Sequence, residues 1–211
     1  ALDTIQACRE ACGGAGYMAE NRLVGLHDDL DVYATFEGDN HVLLQLVGKR
    51  LLGEYANSMK DMDTGDVTKF IASRAETIST RHTPWRRLLQ SAADLGSVRR
   101  TAASLRDPSL QVELISSRTE GLIEELSLDL RQASSMSKQD AAALVNSHQA
   151  ELIDAAKAHV DLILLTAFNN GLEKIEDKET KAVLVRLRDL FALTTIKREL
   201  AWYLMHGHLS H

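Results

Sequence analysis

Two short stretches hold the residues best suited to chemistry, TFEGDN at 35–40 and GGAGY at 13–17. In the first, Gly38 permits a backbone conformation closed to other residues, and Asp39 or Asn40 can cap the helix HVLLQLVGKRLL that follows. Glu37 is thereby held just ahead of a helix N-terminus. Apolar neighbours there would raise its proton affinity, whereas the positive end of the helix would lower it, and such opposed effects tune a general base. On pattern alone, an exposed glutamate in an ordinary helix–helix turn is the alternative. GGAGY lacks the strand before it and the helix after it that a dinucleotide fingerprint requires. It either caps the first helix or lets its backbone approach another group closely.

Other reactive residues read as structural. Cys8 and Cys12 share a helix face without redox or zinc spacing, so they are expected to be small buried hydrophobes in a reducing compartment. Asp28, Asp29 and Asp31 lack a calcium-loop spacing and read as a solvated face, so no metal is assigned. His206, His208 and His211 read as a frayed tail. His148 and His159 read as hydrogen-bonded core or boundary histidines, and Trp85 and Trp202 as packing anchors. Nothing from residue 60 onward forms a nucleophile–base pair.

The elements that position these residues are helical. The chain has 211 residues, 45% hydrophobic and only 5% aromatic, with two prolines, which points to an all-α class and a helical bundle. A net charge of −6 with acids and bases interleaved offers no basic stripe to nucleic acid. No apolar run reaches membrane-spanning length, and the first residues lack the build of a signal peptide. Seven of the twelve glycines, Gly13, Gly14, Gly16, Gly25, Gly38, Gly48 and Gly53, fall in the first 53 residues, concentrating irregular backbone there. Helices are predicted to about Cys12, over 21–33 and over 40–58. Thr83-Pro84 and Asp107-Pro108 predict helix starts near 84 and 108. Ser137 and Asp140 resemble a capping box. It opens one long helix, with Leu144, His148, Leu152, Ala155, His159, Ile163 and Thr166 on a stripe, that stops near Asn170-Gly171. A last helix over about 178–206 carries Val183, Leu187, Leu190, Phe191, Thr194, Ala201 and Leu204 on one stripe, and three long helices from 108 imply an antiparallel bundle. The span 59–66 is the candidate boundary between an early module, 1–59, and a late one, 60–211.

The order CREACGGAGYMAENRL followed by DLDVYATFEGDNHVLLQLVGKRLL closely resembles the C-terminal part of acyl-CoA oxidases, within the acyl-CoA dehydrogenase superfamily. The match is dense over about residues 1–55 and looser beyond 60. The resemblance implies an all-α fold and FAD as cofactor. It implies that Glu37 removes the α-proton of an acyl-CoA thioester while the β-hydrogen leaves as hydride to the flavin, giving a trans-2-enoyl-CoA. In oxidases oxygen then reoxidises the flavin to form hydrogen peroxide, whereas in dehydrogenases an electron carrier takes the electrons. Gly13 and Gly14 become cofactor-binding candidates facing a neighbouring subunit's FAD, with Gly38, Asp39 and Asn40 beside the flavin. Two positions depart from the pattern: Glu10 stands where dehydrogenases often have glutamine, and His41 where oxidases commonly have threonine. The implied partners are a second subunit, or the N-terminal helical and β-domains of the same enzyme, without which the chain is expected to bind FAD poorly and turn nothing over. A non-catalytic dimerisation module is the reading from another class. The ending LSH differs from the peroxisomal SKL signal, so a cytoplasmic setting is expected.

Overall fold

The structure, a computed structural model, describes residues 2–61 and 105–209. Among the described residues every regular element is helical. The helix expected near 84, Trp85, the polar stretch 62–80 and His211 lie outside them. By its internal contacts the chain forms two compact units, 1–47 and 48–211.

In the first unit, α1 (Leu2–Ala11) is followed by a 3-10 segment, Gly13–Tyr17, a second 3-10 turn, Ala19–Asn21, and α2 (Leu23–Asp31). A 3-10 turn, Val32–Ala34, leads to the TFEGDN turn and then to α3 (Asn40–Asp61), whose first residues complete this unit. The glycine-rich stretch, where irregular backbone was expected, is therefore wound. Its one buried residue is Gly16. A Cβ there would stand 2.2 Å from the Arg9 carbonyl oxygen, so the segment can lie against α1 only with glycine at this position. Cys8 and Cys12 are exposed, contrary to the burial expected of them, because α1 buries no residue.

The second unit is built on α4 (Pro108–Asp129), α5 (Lys138–Ser147), α6 (Gln149–Glu173), α7 (Lys178–Arg198) and α8 (Leu200–Met205). Here α4, α6 and α7 pack on one another around Leu114, Ile115, Leu165, Ala192, Ile196 and Tyr203. The start at 108 is as expected, with Asp107 accepting from the Ser109 N–H at 2.8 Å. Ser137 caps α5 through the Asp140 N–H at 3.2 Å, while its own hydroxyl donates to the Asp140 carboxylate at 2.7 Å, an arrangement unlike the reciprocal box.

The two long predicted helices are each broken. His148 interrupts the first, and its ring Nδ1 sits 2.9 Å from the Leu144 carbonyl, which the broken ladder leaves without its helical donor. The second α-helical stretch then runs past Gly171 to Glu173. Glu199 interrupts the last helix, where its carboxylate is clasped by Arg118 and Arg198, each at 2.8 Å. The apolar stripe of that helix also turns the unexpected way. Val183, Leu187 and Leu190 are exposed, and α7 instead buries Arg188, Ala192, Thr195 and Ile196.

Arg188 can be buried because its donors are matched. Nε donates to Asn169 Oδ1 at 2.8 Å, Nη2 to the Pro108 carbonyl at 3.2 Å, and Nη1 to Gln111 Oε1 and to Asp189 Oδ1, the latter at 3.0 Å. One guanidinium thus ties α4, α6 and α7 together. His206 and His208 are packed too, contrary to the frayed tail expected of them. His206 and His208 stack on the Trp202 indole with centroids at 4.2 and 5.2 Å. His206 places Nδ1 2.8 Å from the Trp202 carbonyl and Nε2 2.7 Å from Glu125. Gly121 lets the edge of the indole approach α4 closely, since a Cβ there would come within 2.8 Å of the ring.

Candidate functional site

The TFEGDN turn is built from its backbone outward. The Phe36 N–H donates to the Val32 carbonyl at 2.9 Å and the Gly38 N–H to the Thr35 carbonyl at 3.1 Å, closing the turn. Gly38 has φ +117°, a conformation that side-chain-bearing residues rarely adopt. The cap proves to be Asp39, not Asn40: its Oδ1 accepts from the His41 N–H at 2.7 Å, and its carbonyl accepts from the Leu43 N–H at 3.0 Å. That backbone N–H of His41 holds the Asp39 carboxyl below the usual carboxylate range. The His41 ring lies 3.4 Å from the same carboxylate. Asn40 opens the first turn of α3.

Glu37 is exposed, and so is the apolar surface around it in sequence. Tyr33 and Phe36 are 66% and 70% exposed and meet edge to face at 6.3 Å. Val32, Val42 and Leu46 are exposed as well. In this chain, then, the carboxylate is not dried by its neighbours. Aromatic and aliphatic side chains stand ready to be covered around it instead.

The GG segment presents a similar picture. Gly13, at φ +55°, ends α1 in the left-handed conformation common just beyond a helix. A Cβ added at Gly13 or Gly14 would meet nothing within 4 Å. Unlike Gly16, Gly14 answers no packing need of this chain, and its missing side chain leaves backbone open to close approach. The segment is braced from three sides. The Arg9 guanidinium lies over the Tyr17 ring at 4.9 Å, Arg9 Nη2 donates to Gln6 at 2.7 Å, and Asn21 Nδ2 donates to the Ala15 carbonyl at 2.8 Å. Glu10 is occupied by Gln6, at 2.6 Å. Arg9, Gly16 and Asn21 were not singled out from sequence, although Gly16 belongs to the quoted motif and its glycine is the signal that could have marked it. Arg22, held at φ 58° just before α2, carries no such signal.

A model of the acyl-CoA oxidase C-alpha1 domain matches residues 1–52, the span holding both segments, and a model of acyl-CoA oxidase matches residues 107–211. The chain belongs to the acyl-CoA oxidase family. It is the C-terminal helical region of that family. Peroxisomal acyl-coenzyme A oxidase 2 of Arabidopsis thaliana is 31% identical over 199 residues, 94% of this chain but 27% of that protein. Human peroxisomal acyl-coenzyme A oxidase 3 is 56% identical over 57 residues, 27% of this chain and 8% of that protein. In fold, the crystal structure of acyl-CoA oxidase 3 from Yarrowia lipolytica superposes with a TM-score of 0.68 at 24% identity, covering 99% of this chain and 27% of that one. The chain thus spans 27% of the Arabidopsis oxidase and 31% of an acyl-coenzyme A oxidase-like protein of mouse.

Within this oxidase region, no group of three His, Cys, Asp or Glu residues among the described ones is arranged to hold a metal ion. No helix among them is long and apolar enough to cross a membrane.

Proposed function

We propose that this chain supplies the proton-abstracting base and part of the flavin-facing wall of an acyl-CoA oxidase. In this reading the enzyme desaturates acyl-CoA to trans-2-enoyl-CoA. The observation that carries the reading is the C-alpha1 match over residues 1–52, because it contains both the Glu37 turn and the GG segment. Held beside Gly13, Gly14, Gly38, Asp39 and Asn40, FAD would supply a hydride acceptor for the β-hydrogen and a route for the electrons to oxygen. Glu37 takes the α-proton on its carboxylate. It does so once another domain or subunit covers Tyr33 and Phe36, excludes water, and raises its proton affinity toward that of the acidified thioester. Gly38 and the Asp39 cap fix the direction in which Glu37 leaves the turn. Gly13 and Gly14 offer backbone to the cofactor, and Gly38, Asp39 and Asn40, at the head of α3, are the residues that would lie beside it.

The partners proposed are the N-terminal helical and β-domains of the same enzyme and a second subunit, with 1–59 closing the catalytic domain and 60–211 forming the appended bundle. A cytoplasmic setting is proposed for the chain, although several relatives carry "peroxisomal" in their names.

The test is Glu37→Gln in the complete enzyme. Retained flavin absorbance with turnover reduced about 100- to 10,000-fold supports the assignment. Unchanged turnover refutes it. Peroxide release on turnover distinguishes an oxidase from a dehydrogenase that needs an electron carrier. Oxygen consumption by the 211-residue chain alone would contradict the dependence on other domains.

A further inference from the structure

Cys8 and Cys12 are the chain's two cysteines, and both are free and exposed. They stand four residues apart across the end of α1, whose last residue is Ala11, so they share one face of its final turn. Because α1 buries no residue, neither thiol fills a core, and both are open to oxidants. Inside an intact helix such a pair does not close into a disulfide. Residues four apart have Cβ atoms about 5–6 Å apart, whereas the bond draws them to about 3.5–4.5 Å.

This turn is the last one, and that lowers the barrier. Cys12 lies just past the helix at φ −79° and ψ −5°, and its N–H donates to the Cys8 carbonyl at 3.1 Å. Gly13 follows at φ +55°, where the lack of a side chain lets the backbone take up a rotation. Closing a gap of about 1–2 Å therefore gives up one exposed terminal hydrogen bond, not an interior turn. The GG segment begins at the next residue. Its far end is fixed, because Gly16 lies where a Cβ would stand 2.2 Å from the Arg9 carbonyl oxygen. Drawing Cys12 toward Cys8 thus shifts Gly13 and Gly14 between two points anchored on α1.

We infer that Cys8 and Cys12 are a peroxide-oxidised thiol pair, a modification site that resets the end of α1. One thiolate attacks a peroxide oxygen and the O–O bond breaks. Hydroxide leaves, takes up the thiol proton and departs as water, and the sulfur becomes a sulfenic acid. The second thiol attacks that sulfur, the S–O bond breaks, and a second water carries off the remaining proton. Two thiols lose two electrons and hydrogen peroxide gains them. The site rests on the proposed function only for the source of its oxidant, since the pair itself needs neither Glu37 nor the flavin.

The experiment treats the reduced 211-residue chain with hydrogen peroxide and follows its intact mass, free thiols and mobility on non-reducing electrophoresis. The expected product is a chain without intermolecular cross-links, lighter by two hydrogens, its free thiols falling from two to none and returning with dithiothreitol. Exchange of the Cys12 amide hydrogen should quicken about fivefold, the loss of one backbone hydrogen bond. Cys8→Ser and Cys12→Ser should each block the bridge and leave the remaining thiol to gain oxygen, with circular dichroism confirming that these exposed changes keep the fold. Cross-linking between chains, two thiols that each gain oxygen without bridging, or thiols that survive a large excess of peroxide would overturn the inference. So would a bridge that leaves Cys12 exchange unchanged. Because the peroxide is added, a bridge forms here even if the complete enzyme releases none, so failure of the oxidase reading and failure of the thiol pair give different results.

Discussion

Replacing Arg188 by methionine tests whether the polar centre of the bundle is satisfied or merely buried. The guanidinium is 2% exposed and Gln111 0%. Methionine keeps most of the volume and removes every donor. Gln111 Oε1 then loses its partner in full burial, at about 2 kcal/mol, while half-buried Asn169 loses its own at about 1 kcal/mol. The Pro108 carbonyl stays within the helix ladder, and Asp189, partly exposed, returns to water at little cost. The expected loss is therefore about 3 kcal/mol, a large fraction of the stability of an ordinary domain.

Urea unfolding followed by far-UV circular dichroism should show it as a midpoint lower by roughly 1–2 M. The decisive arm is the double variant with Gln111→Leu. Removing the glutamine alone leaves a buried charge short of one acceptor, again about 2 kcal/mol. Removing both leaves neither orphan, so the pair should cost about 1–2 kcal/mol less than the sum of the singles. Strict additivity, or an Arg188→Met protein as stable as wild type, would refute this accounting and show that the network sets register without contributing stability.

Gly16→Ala should destabilise the first unit by about 3 kcal/mol, since a Cβ overlaps the Arg9 carbonyl, whereas Gly14→Ala should leave folding unchanged and weaken flavin retention only in the complete enzyme; thermal melts and flavin absorbance report the two. Burial pushes the Tyr203 hydroxyl up to about 12 from 10.0, so the native state keeps a proton that the unfolded chain loses first, and stability should fall as pH rises through 10 toward 12. Tyr203→Phe should flatten that alkaline limb without loss at neutral pH, because the hydroxyl is buried with no hydrogen-bond partner among the described residues, as denaturant titration at each pH would show. Burial also raises the Asp161 carboxyl against the pull of Arg198 2.5 Å away, so its charged form is disfavoured by folding and Asp161→Asn should be at least as stable as wild type at pH 7, with the advantage vanishing as pH falls toward the ordinary carboxylate value.

Features fixed by local backbone chemistry were legible in the sequence. The Asp107-Pro108 start, the Ser137 cap and the special backbone at Gly38 follow from steric and hydrogen-bonding rules that act over a few residues. The breaks at His148 and Glu199 were not legible: the His148 ring turns back on the Leu144 carbonyl one helical turn earlier, which an apolar stripe does not reveal, and Glu199 is completed by Arg118 from another helix. Periodicity misassigned the buried side of α7 for a related reason. It detects an apolar stripe but not whether the stripe faces its own core, and a polar Arg188 is admitted to that core only by acceptors drawn from α4 and α6. At the candidate site, Glu37 and the two glycine segments were recognisable as motifs. The brace of Arg9, Tyr17 and Asn21 was not, since it depends on the chain folding back on α1.

That brace has a consequence for whatever meets Gly13 and Gly14. With Gly16 wedged against the Arg9 carbonyl, the segment has already surrendered its freedom before any encounter. A visiting group therefore does not have to immobilise a floppy loop, and the affinity it gains from those amides arrives undiminished by ordering.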